Sequence, residues 1–171
     1  MLHCRASHGD RQLKTLVLGL GNPILSDDGV GIKVVEEVER RLQRDDLVVS
    51  QASVGGLGLL DLVAGYDRVI IVDAIQTKNG IPGEVHYLSP DQFHGNVRAA
   101  STHDLTFAAA LELGKRLYRD MPREVLILAV EASEVAAFGE ELTPEVASVV
   151  PHVVELVMEE IGGQGQAGPR H

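Results

Sequence analysis

Thr15-Leu16-Val17-Leu18-Gly19-Leu20-Gly21-Asn22-Pro23-Ile24-Leu25-Ser26-Asp27-Asp28-Gly29-Val30-Gly31 is the stretch that decides the fold. Its first four residues form a short apolar run, as a strand buried on both faces requires, and such strands belong to parallel sheets. Glycines and a proline follow. Val30, Val34, Val38 and Leu42 then recur at spacing four, with Val35 beside them. Glu36, Glu37, Arg40 and Arg41 fill the opposite face, so this segment is an amphipathic helix. Strand, glycine-rich turn and helix are the opening unit of an α/β fold.

The chain repeats this alternation outward. Leu47-Val48-Val49 reads as a second strand. The glycine-rich loop Gly55-Gly56-Leu57-Gly58 leads to a short helix over Leu59 to Val63. Val69-Ile70-Ile71-Val72 is the clearest buried strand, and it closes at Asp73. The connection from Gln76 to Gly83 holds Asn79-Gly80 and Pro82-Gly83 and is too short for a crossover helix. Glu84 to Leu88 is therefore expected to run antiparallel to its neighbour. Ser101 to Asp104 has the form of a capping box, continued by a stripe of Leu105, Ala109, Leu113 and Leu117. Val125 to Val130 is the last strand. Thr143-Pro144 offers a helix cap with proline at the first helical position. Val146, Val149, Val150, Val153, Val157 and Ile161 follow as a final helix, which Pro151 is expected to kink or to start late.

These elements predict a three-layer α/β/α sandwich with a mostly parallel five-stranded sheet and one antiparallel strand. A single domain is expected over residues 13–162, with flexible tails at 1–12 and 163–171. Right-handed crossovers set strand three beside strand one, and strand two outside strand one. Ligands in such sheets bind at the carboxyl edge where the winding reverses, so the segments after strands one and three should flank the crevice.

Composition narrows the function. The formal net charge is −10, and Lys and Arg form no block, which argues against a nucleic-acid partner. No apolar run approaches the roughly 20 residues that span a bilayer. Met1 to Gln12 is polar and lacks the apolar core of a secretory signal. Cys4 is the only cysteine, so no internal disulfide can form. A cytoplasmic protein without a membrane partner is expected.

The turn after strand one resembles a dinucleotide site but has the wrong chemistry. The position of the third fingerprint glycine holds Ile24, and Val48-Val49-Ser50-Gln51 brings no carboxylate for a ribose. Asp27 and Asp28 stand where a helix N-terminus would receive a phosphate, and two carboxylates there repel an anion and invite a cation. Helix capping accounts for one of them and is assigned to Asp27, which leaves Asp28 open, on spacing alone, to a functional role or to a first-turn structural one. Asp73 taken alone reads as an Asx-turn residue, and His103 taken alone as a surface histidine. The topology, however, sets Asp73 across the crevice from Asp28. His103, in the first turn of its helix, should stay neutral and able to ligate a metal. Two carboxylates and one imidazole make a divalent-metal constellation with open positions. There is no Gly-x-Ser-x-Gly elbow and no His-Glu-x-x-His helix.

At these residues the chain resembles the hydrogenase maturation peptidases. The matching pieces are Leu-Gly-Leu-Gly-Asn-Pro at 18–23, Asp-Asp-Gly-Val-Gly at 27–31, Ile-Ile-Val-Asp-Ala at 71–75 and Ser-Thr-His-Asp-Leu at 101–105. The resemblance implies that Asp28, Asp73 and His103 form the metal-recognition and catalytic site. It also implies an endopeptidase that removes the C-terminal extension of a nickel–iron hydrogenase large-subunit precursor once nickel is installed. The nickel is then brought by the precursor, which is the expected partner of a monomeric enzyme. One departure stands out. Family members often carry an acidic residue and a Gly-Thr pair where this chain has Gln51-Ala52-Ser53-Val54-Gly55-Gly56, a region thought to help choose the substrate.

Two other classes compete. Peptidyl-tRNA hydrolases also begin Gly-Leu-Gly-Asn-Pro, but Ser26-Asp27-Asp28-Gly29 replaces the stretch that would lead to their catalytic histidine. The other is a non-catalytic metal-sensing module on the same scaffold.

Overall fold

The computed structural model of the chain describes residues 13–42, 44–53, 58–92, 107–117 and 120–163. Strands β1 (Thr15–Leu20), β2 (Leu47–Ala52), β3 (Arg68–Ile75), β4 (Val85–Leu88) and β5 (Glu124–Glu131) form one sheet in the order β2-β1-β3-β5-β4. β1 pairs in parallel with β2 and β3, β3 pairs in parallel with β5, and β4 runs antiparallel to β5. The predicted neighbours and the single reversed strand are both present. The reversal follows from the short connection after β3.

Helices α1 (Val30–Arg41), α2 (Gly58–Val63), α3 (Phe107–Leu117) and α4 (Pro144–Gly162) cover the two faces. Side chains alternate across a strand, so each strand feeds two cores. Leu16, Leu18, Ile71, Ile75 and Ile127 pack with Leu59, Leu60 and Val63 of α2 and Leu111 of α3. Val17, Ile70, Val72, Leu128 and Val130 pack with Val34 and Val38 of α1 and Val153 and Val157 of α4. Both faces of β1 and β3 are thus buried, which is why their sequences are continuous apolar runs and not alternating ones. Arg68, at the start of β3, ties the lower edge together through Glu124 at 2.9 Å and Glu160 at 2.7 Å.

Two expectations change. β3 runs two residues beyond Asp73, to Ile75, because Asp73 and Ala74 stay in register with Ala129 and Val130 of β5. α4 starts at Pro144 and continues through Pro151. The ring of Pro151 lies on the exposed side of the helix, where the missing N–H costs no core packing. Thr143 is the N-cap residue as predicted, yet its side chain makes no capping bond. The predicted cap at Ser101, residues 54–57 and both predicted tails apart from Gly163 lie outside the described residues.

Candidate functional site at the carboxyl edge

The glycines of the first turn serve close packing. A Cβ at Gly19 would come within 2.4 Å of the Gly31 carbonyl oxygen, and one at Gly31 within 2.3 Å of that of Val72. This pair lets α1 settle directly over β1 and β3. Gly21 has φ +133°, and a Cβ there would meet the Asp28 carbonyl oxygen at 1.7 Å. Only glycine fits that backbone and that contact.

The turn then presents its two acids differently. Asp28 is half-buried, and its Oδ2 accepts the Asn22 N–H at 2.7 Å. An amide that could hold a phosphate is therefore occupied by the protein's own carboxylate. Burial raises the pKa of Asp28, and the Asn22 bond partly offsets this. Asp73, on the adjacent strand, keeps some exposure at the sheet edge but is otherwise enclosed by protein. Burial pushes its carboxyl up to about 7, the charge of Asp28 adds to the rise, and the Ala74 N–H, donating at 2.8 Å, opposes it. That last bond goes to the next residue, so it is not the Asx-turn pattern. The charge of Asp28 reaches Asp73, and the turn that carries Asp28 packs against β3.

Two carboxylates whose ionised forms burial disfavours suit a divalent cation, whose charge would favour those forms. Among the described residues, no three His, Cys, Asp or Glu side chains gather to hold a metal. His103, the third residue of the predicted set, lies outside the described residues.

Asp27 corrects the capping assignment. It is fully buried, and Gly29 is the N-cap residue of α1. The Oδ2 of Asp27 accepts the N–H groups of Ser133 at 2.9 Å and Glu134 at 3.0 Å and the hydroxyl of Thr143 at 2.9 Å. Its Oδ1 accepts the Thr143 N–H at 2.7 Å. Asp27 is a clasp between the first turn and the loop from β5 to α4. The sequence hides this because the donors are 106 to 116 residues away. Leu25 and Gly139 add a parallel bridge to the same clasp. On the other side, Ser53 Oγ donates to the Gly21 carbonyl at 2.7 Å, so the departing stretch after β2 is also fastened to the turn.

Glu131 is a second acid that pattern reading missed. It is 2 % exposed, and its carboxylate accepts the Thr77 N–H at 2.5 Å and the Thr77 hydroxyl at 3.1 Å. It fixes the connection from β3 to β4, and a Cβ at Gly80 would lie 2.0 Å from Glu131 Oε1, so a side chain there would displace the carboxylate from Thr77. The only hint in the sequence is an acid at the end of an apolar strand.

The fold and crevice define a three-layer α/β protein with an acidic carboxyl-edge site, distinct from the dinucleotide binders that share its opening unit. Comparison with known proteins makes the class specific. The family model for HycI hydrogenase maturation proteases matches residues 32–160. The hydrogenase 2 maturation protease of Escherichia coli (strain K12) is 30% identical over 162 residues, covering 92% of this chain and 97% of that protein. HupD of Thiocapsa roseopersicina, a hydrogenase expression/formation protein, is 28% identical over 160 residues, with 91% and 71% covered. The solved structure of the hydrogenase maturating endopeptidase HybD from E. coli superposes with a TM-score of 0.77 at 28% identity, over 90% of this chain and 94% of that one. The chain belongs to the hydrogenase maturation protease family. That membership removes the peptidyl-tRNA hydrolase reading. Among the described residues, no helix is long and apolar enough to cross a membrane.

Proposed function

We propose that this protease removes the C-terminal extension of a nickel-loaded nickel–iron hydrogenase large-subunit precursor, and that it reads the nickel with Asp28, Asp73 and His103. The observation that carries the reading is Asp28 on the turn after β1 and Asp73 on the neighbouring strand β3, in a chain of this family. Their oxygens would take two positions on an ion the precursor brings, and the imidazole of His103 a third. The remaining positions stay with the precursor's own ligands, so the enzyme tests for metal without keeping it. Binding through the ion would also set the scissile peptide beside the crevice, where the cation can polarise its carbonyl or activate a water.

The test is cleavage of matched precursor samples with and without nickel. Tail removal only from the nickel-loaded sample is expected. Equal cleavage of both would refute metal gating, and no cleavage of either would favour a sensor. Calorimetric titration of the free chain with nickel separates the same readings, because a site completed by the precursor binds free metal weakly.

A further inference from the structure

The loop between β5 and α4 holds a large aromatic ring in water. Phe138 is 86 % exposed, and Ile24, on the turn that faces it, is 48 % exposed. The backbone beneath them is fixed. The Gly139 N–H donates to the Ile24 carbonyl at 3.0 Å, and the Ser26 N–H donates to the Gly139 carbonyl at 2.7 Å. The N–H groups of Ala136 and Ala137 donate to Glu134 Oε1 at 2.7 and 3.0 Å. Asp27 fastens the loop on both sides of this segment. Exposed apolar groups rimmed by polar ones mark contact surfaces. A backbone already ordered loses little on binding, which is the condition for a strong contact residue.

Location and charge say what the contact is for. The ring belongs to the loop that Asp27 clasps to the turn, and Asp28 is the next residue of that turn. Glu140 and Glu141 beside the ring are exposed, and no lysine or arginine stands between Arg123 and Arg170 in the sequence. We propose that Phe138 and Ile24 form a docking ledge for the precursor, seating one of its apolar side chains within a neutral or basic stretch. The inference rests on the function proposed above, because the tail to be cut must come within reach of Asp28, and Ile24 stands on the same turn as Asp28. A second copy of this chain fits less well, since each copy would bring the same acidic surface to the contact. Phe138 determines specificity by contact with the precursor and takes no part in bond cleavage.

The experiment measures both the dissociation constant and the cleavage kinetics of nickel-loaded precursor with wild type and Phe138→Ala. The variant should weaken binding and raise KM by about tenfold while kcat holds. Its melting temperature should not move, because a ring this exposed supports no packing. An unchanged dissociation constant overturns the ledge even if both proteins cleave. Binding that Phe138→Ala weakens, without cleavage by wild type, keeps the ledge and removes the peptidase reading. Self-association of the free chain that the variant abolishes, with precursor binding unchanged, assigns the ledge to a second copy and overturns the proposal.

Discussion

Asp28 and Asp73 share one electrostatic environment: burial, and then the charge of Asp28, pushes the Asp73 carboxyl up to about 7. The unfolded chain ionises this group near 3.8, so between that value and 7 the folded state binds more protons than the unfolded one. The contribution of Asp73 to stability therefore falls as pH rises through this window, and the cost is fully present above it. Asp73→Asn keeps the acceptor for the Ala74 N–H and removes the charge. Its melting temperature should exceed that of metal-free wild type at pH 8, with the difference shrinking toward pH 4. A constant difference across that range would show that Asp73 is not held protonated.

The same three positions should fail together in function. Asp28→Asn, Asp73→Asn and His103→Ala are each expected to slow removal of the precursor tail by roughly 100-fold or more while the fold remains intact. Circular dichroism checks the fold and a gel shift of the precursor checks the cut. Full processing by all three variants would defeat the site.

Asp27 should behave as a clasp and not as a cap. Loss of a helix cap costs about 1 kcal/mol. Asp27→Ala instead strands three N–H donors and a hydroxyl around a buried site, and about 3 kcal/mol or more is expected. Denaturant unfolding measures the difference. Hydrogen exchange at Ser133, Glu134 and Thr143 should speed up before exchange in β1 does. A loss near 1 kcal/mol with unchanged exchange would restore the capping role.

Gly31 offers a contest of known sign. Alanine is favoured over glycine in a helix by about 1 kcal/mol. Against this, the new Cβ would press on the Val72 and Leu20 carbonyl oxygens at 2.3 and 2.4 Å, which are backbone atoms of two core strands. Overpacking of this kind costs about 1–3 kcal/mol, so Gly31→Ala should destabilise. The shift in unfolding midpoint decides it, and a stabilised variant would mean that α1 can ride away from the sheet.

Much of the architecture was legible because buried parallel strands have a plain signature. Thr15 to Leu18 and Val69 to Val72 can be nothing but two-sided strands, and the short connection before Glu84 forces the reversal of β4. The adjacency of β1 and β3, which brings the segments carrying Asp28 and Asp73 together, followed from the crossover rule alone. What stayed hidden depends on distant partners. Asp27 and Glu131 look like ordinary acids in the sequence, and only the folded chain brings Thr143 to one and Thr77 to the other. The late start that Pro151 suggested does not occur, because α4 begins at Pro144 and runs through it.

The way Asp27 grips the loop after β5 divides that loop into anchors and cargo. Ser133 and Glu134 offer backbone amides, Thr143 offers its amide and hydroxyl, and Gly139 pairs through backbone atoms with open space where a Cβ would stand. The side chains from Ala136 to Glu141 are therefore an exchangeable cassette, while Leu142 packs against the core. Swapping them for those of a relative should transplant client preference without remaking the enzyme around it.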